Sequence, residues 1–205
     1  MDDIFAIISG GEYASMPDIE KAKVVVACDK GYEYALAAGI NPGVIVGDFD
    51  SYSGKLPSGV ETIRLPIEKD DTDTVSAVKL AIGRGAKIIY MYCAEGGHRP
   101  EHFIGNLQAA AFAAKQGVSV TVFGKDTLYR VLPHGKYVLD KKQGYESLFS
   151  PSGECTGVTL KGTKYTLSAG TLDSCFPLGI SNEWTDDIAE LEFETGVMLV
   201  VTRKQ

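Results

Sequence analysis

The chain has 205 residues, enough for one large domain or two small ones with cores of their own. Hydrophobic content of 44% and charged content of 23% are those of an ordinary globular protein, and no apolar run is long enough to span a bilayer. A formal net charge of −7 argues against a nucleic-acid partner, which calls for a basic face, but not against a phosphate substrate, since bound metal can screen the acids.

The Met-Asp-Asp-Ile start lacks the basic residues of a signal peptide, so the cytoplasm is the expected location, with no membrane partner. Cys28, Cys93, Cys155 and Cys175 form no CxxC pair and no zinc spacing. Cys28 and Cys93 lie in apolar runs and read as reduced, buried thiols.

Residues 4–8 and 24–28 are apolar runs, closed by Ser9-Gly10-Gly11 and by Asp29-Lys30-Gly31. Each reads as a buried strand. A helix follows, with Tyr34, Ala35 and Ala38 on one face, ending near Gly39. The next run, 44–51, ends in Gly47-Asp48-Phe49-Asp50-Ser51. Residues two apart in an extended loop point the same way, so Asp48 and Asp50 can converge, and a hard divalent cation such as Mg²⁺ is the usual partner of such a pair. A turn rich in Asp and Gly is the competing reading, and on these residues alone both stand.

Residues 59–65 alternate as a shorter strand, and the acidic stretch 70–73 opens a helix capped by Asp or Thr, with Val75, Val78 and Ile82 as its apolar stripe. A strand over 87–93 exits into Gly96-Gly97-His98-Arg99. The helix after it carries Phe103, Leu107, Ala110, Ala111 and Ala114 on one face and stops at Gly117. Residues 118–123 form a further strand. Alternation of apolar strands with helices predicts an α/β unit over 1–126: a mostly parallel, Rossmann-like sheet with helices on both faces. Ligands of such sheets bind outside the carboxyl ends of the strands, where this chain concentrates Gly and charge.

Beyond about residue 126 the texture changes. Short strand-like runs over 128–132, 136–139, 146–149, 157–161, 164–167, 188–193 and 197–202 are separated by Gly, Pro, Ser and Asn. They predict an all-β sandwich domain over 127–205. No internal repeat and no low-complexity segment is present.

Two constellations carry chemistry. Asp29, Asp48, Asp50, Asp70, Asp71 and Asp73 all fall at predicted strand exits on one edge, an arrangement that Mg²⁺ would hold together. Within 70–73 at least one residue is expected to serve only as a cap, and Asp73 is the expected functional one. Arg99, His102 and Asn106 form the second set. Arg99 suits a phosphate clamp, whereas Asn106 equally suits bracing of the loop. There is no GxxxxGK[ST] and no GxGxxG after the first strand, which excludes a P-loop and the dinucleotide fingerprint. In the second half Tyr165, Ser181, Asn182 and Trp184 stand out: Asn and Ser can read a heteroaromatic amine by hydrogen bonds, and Tyr or Trp can stack on a ring or face a cation, with core or interface packing as the alternative for both aromatics.

Together these motifs resemble the thiamine pyrophosphokinase (thiamine diphosphokinase) family, in family order and along nearly the whole chain. Gly47-Asp48-Phe49-Asp50-Ser51 matches outright, and Asp29-Lys30-Gly31 stands where the family usually has Asp-Gly-Gly. Lys69-Asp70-Asp71-Thr72-Asp73 corresponds to its Gln-Asp-x-Thr-Asp stretch, and Arg99, His102 and Asn106 keep the spacing of its Gly-Gly-Arg-x-Asp-His-x-x-x-Asn segment. Gly162-Thr163-Lys164-Tyr165 resembles its Gly-Leu-Lys-Trp/Tyr, and Ile180-Ser181-Asn182-Glu183 its Ser-Ser-Asn-Glu. His98 intrudes before Arg99, Glu101 replaces an Asp, and Lys30 and Lys69 replace uncharged residues.

The resemblance implies transfer of diphosphate from ATP to thiamine, with AMP as leaving group, and a homodimer. It implies Mg²⁺ on Asp48, Asp50 and Asp73, with Arg99 beside the transferred group. Asp29, Lys30, Lys69, Asp70, Thr72, Arg99, His102 and Asn106 would contact ATP, and Tyr165, Ser181, Asn182 and Trp184 would contact thiamine. Another metal-dependent Asp-x-Asp enzyme (a glycosyltransferase or phosphohydrolase) or a non-catalytic nucleotide or thiamine sensor would use similar loops.

Overall fold

The computed structural model describes residues 3–49, 57–66, 70–142 and 144–203. Asp50 and Lys69, both expected in the site, lie outside the described residues. The fold is mixed α/β, with one large sheet and few helices.

The first half holds the parallel strands β1 (Ile4–Ile8), β2 (Val24–Cys28), β3 (Val44–Gly47), β4 (Glu61–Arg64), β5 (Ile88–Tyr92) and β6 (Ser119–Phe123), in spatial order β6-β5-β1-β2-β3-β4. Helices α1 (Gly31–Ala37), α2 (Asp73–Gly83) and α3 (Pro100–Lys115) connect them. Strand β1 is central, and its residues alternate between two cores, as the period of two requires. Phe5 and Ile7 pack with the buried alanines Ala77, Ala81, Ala110 and Ala113 of α2 and α3. Ala6 and Ile8 pack with Ala35 of α1 and with Tyr92. Phe5, Ala6, Ile7 and Ile8 are almost wholly buried, and burying Phe5, Ile7 and Ile8 contributes roughly 1.5–3 kcal/mol each.

The helix boundaries follow local rules. The Thr72 hydroxyl caps α2 by accepting from Val75 N at 3.2 Å, Pro100 opens α3, and left-handed Gly117 (φ 81) follows the end of α3.

Strands β7 (Thr127–Asp140), β8 (Tyr145–Phe149), β9 (Cys155–Lys161), β10 (Leu167–Leu172), β11 (Gly179–Glu183) and β12 (Ile188–Arg203) are antiparallel. They continue the same sheet, because β7 pairs with β6 after the Gly124-Lys125-Asp126 turn. The runs expected separately over 128–132 and 136–139 form one strand, β7, and those over 188–193 and 197–202 form another, β12. Pro133 and Gly135 look like turn residues in the sequence. They instead face a bulge in β12, where pairing jumps from Phe193–Gly135 to Val197–Pro133. Gly196 (φ 91) makes that bulge: a Cβ there would lie 2.5 Å from the Glu154 carbonyl oxygen.

The first part of β12 pairs with β9 and its last part with β8, and Leu139, Leu160, Leu191, Phe193 and Met198 fill the core between them. The strand expected over 164–167 begins only at Leu167, since Gly162 (φ 80) turns the chain against Ile188. Strand β11 carries little apolar signal because it is exposed at most positions.

Candidate active site

Every parallel strand ends on one edge, and the chain is locally strained there. Asp29 (φ 43), Phe49 (φ 57) and Cys93 (φ 52) follow β2, β3 and β5 in the left-handed region that non-glycine residues seldom occupy. Two glycines let the loops approach. A Cβ on Gly31 would lie 2.1 Å from the Ile8 carbonyl oxygen, so the start of α1 sits directly against β1. At Lys30, where the resembling motif has its first glycine, the ammonium lies 5.3 Å from the centre of the Tyr34 ring.

Gly47 makes room for an acid. A Cβ on it would fall 1.8 Å from Asp29 Oδ1, an oxygen that is buried without a hydrogen-bond partner. The Asp29 carboxyl is pushed up to about 7, first by burial, then by its hydrogen bond to the Asp73 carboxylate and by the charges of Asp73 and Asp48. Asp29, Asp48 and Asp73 therefore come together from β2, β3 and the start of α2. Among the described residues no group of three or more His, Cys, Asp or Glu side chains is arranged to hold a metal ion. Oxygens gathered against their own repulsion, one of them orphaned, are nevertheless the donor set that a hard cation takes.

The other predicted residues are distributed as follows. Asp71 pairs with Lys79 at 2.5 Å, Asp70 is exposed, and the Thr72 hydroxyl is used as the α2 cap. Thr74, which the sequence does not single out, is buried and bonds Ser9 Oγ at 3.1 Å, tying α2 to the β1 exit. Asn106 is buried and donates to the Ala94 carbonyl at 2.8 Å, so its amide braces the β5 exit loop. Arg99 is exposed and donates to Glu101 Oε1 at 2.9 Å, with half-exposed His102 3.9 Å from the same oxygen. Glu101 lies below the usual carboxylate range because of its own backbone N–H and then Arg99. Arg64 escapes a motif search because it ends an alternating strand. Its guanidinium lies 5.6 Å from the Phe49 ring, beside the Asp48 loop.

In the antiparallel half, Asn182 is buried and its amide is fully engaged. Its Oδ1 accepts from Tyr165 N and Glu183 N, and its Nδ2 donates to Thr163 Oγ1 and the Tyr165 carbonyl. Asn182 thus holds the Tyr165 loop onto β11. Tyr165 itself is 63% exposed, and exposed Ser181 (φ 58) donates its N–H to Ser147 Oγ. Trp184 packs on the core of this half, with Nε1 buried and without a partner. Cys28, Cys93, Cys155 and Cys175 are free thiols, and only Cys175 is exposed. Among the described residues no helix is long and apolar enough to cross a membrane.

Comparison with known proteins places these features in context. The family described as "Thiamin pyrophosphokinase, catalytic domain" matches residues 18–122, more than half of the chain. The family described as "Thiamin pyrophosphokinase, vitamin B1 binding domain" matches residues 136–198. Thiamine pyrophosphokinase of Bacillus subtilis (strain 168) is 28% identical over 206 residues, covering 95% of this chain and 96% of its own. Its crystal structure superposes with a TM-score of 0.84, at 26% identity, over 98% of this chain and 99% of that one. A thiamin pyrophosphokinase family protein from Enterococcus faecalis gives 0.80 at 25% identity, over 100% of both chains. Thiamin pyrophosphokinase from Candida albicans, at 16% identity, shares the fold alone, with a TM-score of 0.75 over 98% of this chain and 90% of that one. Acids drawn together at the ends of parallel strands, a second half that presents an exposed tyrosine on a braced loop, and family matches to both halves lead to one assignment: the chain belongs to the thiamin pyrophosphokinase family.

Proposed function

We propose that the chain transfers the diphosphate of ATP to the hydroxyl of thiamine, giving thiamine diphosphate and AMP. The observation that carries the reading is the gathering of Asp29, Asp48 and Asp73 at the edge where parallel sheets bind ligands, with one acid pushed up to about 7 by the others and by burial. In this reading the parallel half is a Rossmann-like nucleotide-binding unit over 1–126, and the sandwich-like half, 127–205, binds thiamine.

Asp48, Asp50 and Asp73 would hold Mg²⁺, which supplies neutralisation of the triphosphate oxygens when bound. The thiamine hydroxyl oxygen forms a bond to the β-phosphorus, the bond from that phosphorus to the α–β bridging oxygen breaks, and AMP leaves with the electron pair. A carboxylate of the acid group takes the hydroxyl proton. Arg99 leaves Glu101 to offset charge on the transferred group, and Lys30 and Lys69 add to the same field. His102 lines the approach to Arg99. Asp70 borders the phosphates, while Thr72 and Asn106 act as cap and brace.

On the thiamine side, Tyr165 and Ser181 are accessible to the substrate, Asn182 positions Tyr165, and Trp184 supports the loop from beneath. A homodimer fits the exposed apolar side chains Tyr145, Tyr165, Phe176, Leu178 and Ile180 of this half. The location we infer is the cytoplasm. Phosphorus NMR of a mixture of protein, ATP, Mg²⁺ and thiamine tests the reading. AMP and thiamine diphosphate are expected only when all components are present; ADP in place of AMP, or no thiamine-dependent turnover, rejects it.

A further inference from the structure

Strand β8 puts an acid where its alternation calls for an apolar residue. Glu146 and Leu148 are its two inward positions, and Leu148 belongs to the core of the antiparallel half. Glu146 pairs with Thr202 of β12 on one side and with Asn182 of β11 on the other. Register partners in antiparallel strands share a face, with Cβ atoms about 4.5–5.5 Å apart. Thr202, Glu146 and Asn182 therefore form one row across three strands, and they are 1%, 0% and 6% exposed. Arg130 of β7 lies on the same face one step along, since it pairs with Val200 and Val200 pairs with Leu148.

We propose that Glu146 is a positioning residue for the thiamine side of the reaction, acting through Asn182 on the loop that carries Tyr165. The proposal rests on the reading of this half as the thiamine-binding one. Glu146 itself, being wholly buried, touches no substrate.

The first support is placement. Consecutive residues of β8 back the two neighbouring β11 residues assigned to thiamine. Glu146 stands beside Asn182 on the inner face, and Ser147 Oγ accepts from Ser181 N at 3.0 Å.

The second is competition for one amide. Among the described residues both oxygens of Glu146, the Thr202 hydroxyl and Nε and Nη2 of Arg130 are buried without hydrogen-bond partners. A neutral acid tolerates such surroundings far better than a carboxylate, which must draw donors to itself in a low-dielectric interior. The donors on this face are the Arg130 guanidinium, the Thr202 hydroxyl and Asn182 Nδ2. Asn182 Nδ2 is already committed to Thr163 Oγ1 at 3.1 Å and to the Tyr165 carbonyl at 2.7 Å. An ionised Glu146 competes with the Tyr165 loop for that amide, and a neutral Glu146 leaves it to the loop.

The third is the range in which the change falls. Burial pushes the Glu146 carboxyl up to about 7, against the opposing pull of Arg130. Arg130 in turn feels Asp140, while Thr202 and Asn182 bring no charge to the row. The folded value lies above the ordinary one of about 4.3, so Glu146 is neutral below about 7 and loses its proton as pH rises through that value. The brace on Tyr165 is therefore firm on the acid side and loosened on the alkaline side.

Trp184 supplies a reporter. It is the single tryptophan of the chain, stands two residues beyond Asn182 and pairs with Thr163. Calorimetry measures thiamine affinity of the full chain at pH 6 and pH 8 in the parent, in Glu146→Gln and in Thr202→Val. The parent is expected to bind about fivefold more weakly at pH 8, the equivalent of one hydrogen bond. Glu146→Gln keeps the shape without the charge and is expected to hold one affinity at both pH values. Thr202→Val removes a donor from the carboxylate and is expected to move the transition to higher pH. Trp184 emission without ligand should follow the same midpoint in the parent and stay flat in Glu146→Gln. The KM for ATP should change with pH equally in all three proteins, which a general loss of structure would not produce.

The inference falls if the parent binds thiamine equally at both pH values, or if Glu146→Gln keeps the parent's pH profile. Should Glu146→Gln fail to fold, Thr202→Val decides, and an unmoved midpoint rejects the role. Thiamine that binds at neither pH would reject the reading of this half and the inference with it. Thiamine-dependent AMP release with pH-independent thiamine affinity and Trp184 emission would reject only the role of Glu146.

Discussion

Among the described residues two carboxyls, Asp29 and Glu146, are pushed up to about 7 by burial, and they sit in opposite company. Asp29, at the strand-exit edge, has Asp73 and Asp48 as neighbours. Glu146 is wholly buried in β8, and Arg130 opposes its shift. Both oxygens of Glu146 are without hydrogen-bond partners, as are Nε and Nη2 of Arg130 and the hydroxyl of Thr202, which is paired with Glu146 in register. The two values are alike and the chemistry is not. Acids around an acid make a place for a cation, because each added carboxylate deepens the attraction. An arginine near a buried acid makes a neutral interior, costly to form and damaging to break. A raised pKa marks burial in both regions; the sign of the neighbouring charge separates the site from the scaffold.

The comparison breaks most readily at Asp48. Asp48→Asn is expected to lower kcat by roughly 10²–10³-fold or more with an unchanged melting temperature, as read by AMP release. If the edge were scaffold like the Glu146 region, melting temperature would fall and turnover of the folded fraction would not.

Glu146 supplies the next largest effect. Its unfolded-state pKa is about 4.3 and its folded value about 7. The native state therefore holds more protons than the unfolded chain between these values, and stability falls as pH rises through that window, by about 4 kcal/mol at most. Denaturant melts at pH 4.5, 6 and 7.5 are expected to show this decline in the parent chain and a flatter profile in Glu146→Gln.

Asn182→Ala tests bracing against recognition. Leaving the Tyr165 and Glu183 N–H groups unsatisfied is expected to cost about 1–3 kcal/mol in chemical denaturation, with KM for thiamine raised and KM for ATP unchanged. A variant that loses thiamine affinity at parental stability would assign Asn182 to direct contact. The smallest signal is a proton count. Mg²⁺ at pH 7 is expected to expel about half a proton from the acids around Asp29. The observed binding enthalpy should then change between buffers of different ionisation heat in the parent chain and stay constant in Asp29→Asn.

Much of this was legible in the residues. Buried parallel strands are continuous apolar runs, so β1, β2, β3, β5 and β6 stand out, as do the helices with their Thr72, Pro100 and Gly117 signals. The long strands β7 and β12 were not legible as single elements, because Pro133, Gly135 and Gly196 carry the same local signature in a bulge as in a turn. Strand β11 was missed because exposure removes its apolar pattern. At the site, the gathering of Asp29, Asp48 and Asp73 followed from strand exits sharing one edge. Competition for the same side chains did not: whether Thr72, Asn106 and Asn182 face a ligand or the backbone depends on partners 1 to 19 residues away. Asp50 and Lys69 lie outside the described residues, so their expectation rests on the sequence.

The ribbon of β7 and β12 ties the parallel half to the antiparallel half in a way that bears on how the chain can be divided. Thr127 to Asp140 runs without interruption from a strand beside β6 into the antiparallel half, and Ile188–Arg203 follows it along its whole length. Cutting after residue 126 would strip β6 of its neighbour and leave a row of unsatisfied N–H and C=O groups beside Val120 and Val122, a template for pairing with another chain. The segments that match two families thus belong to one continuous sheet. A shortened gene product ending there would be a poorer starting point for study than the whole chain, and loss of the last strand, Ile188–Arg203, would undo the antiparallel half and expose β7 at the same stroke.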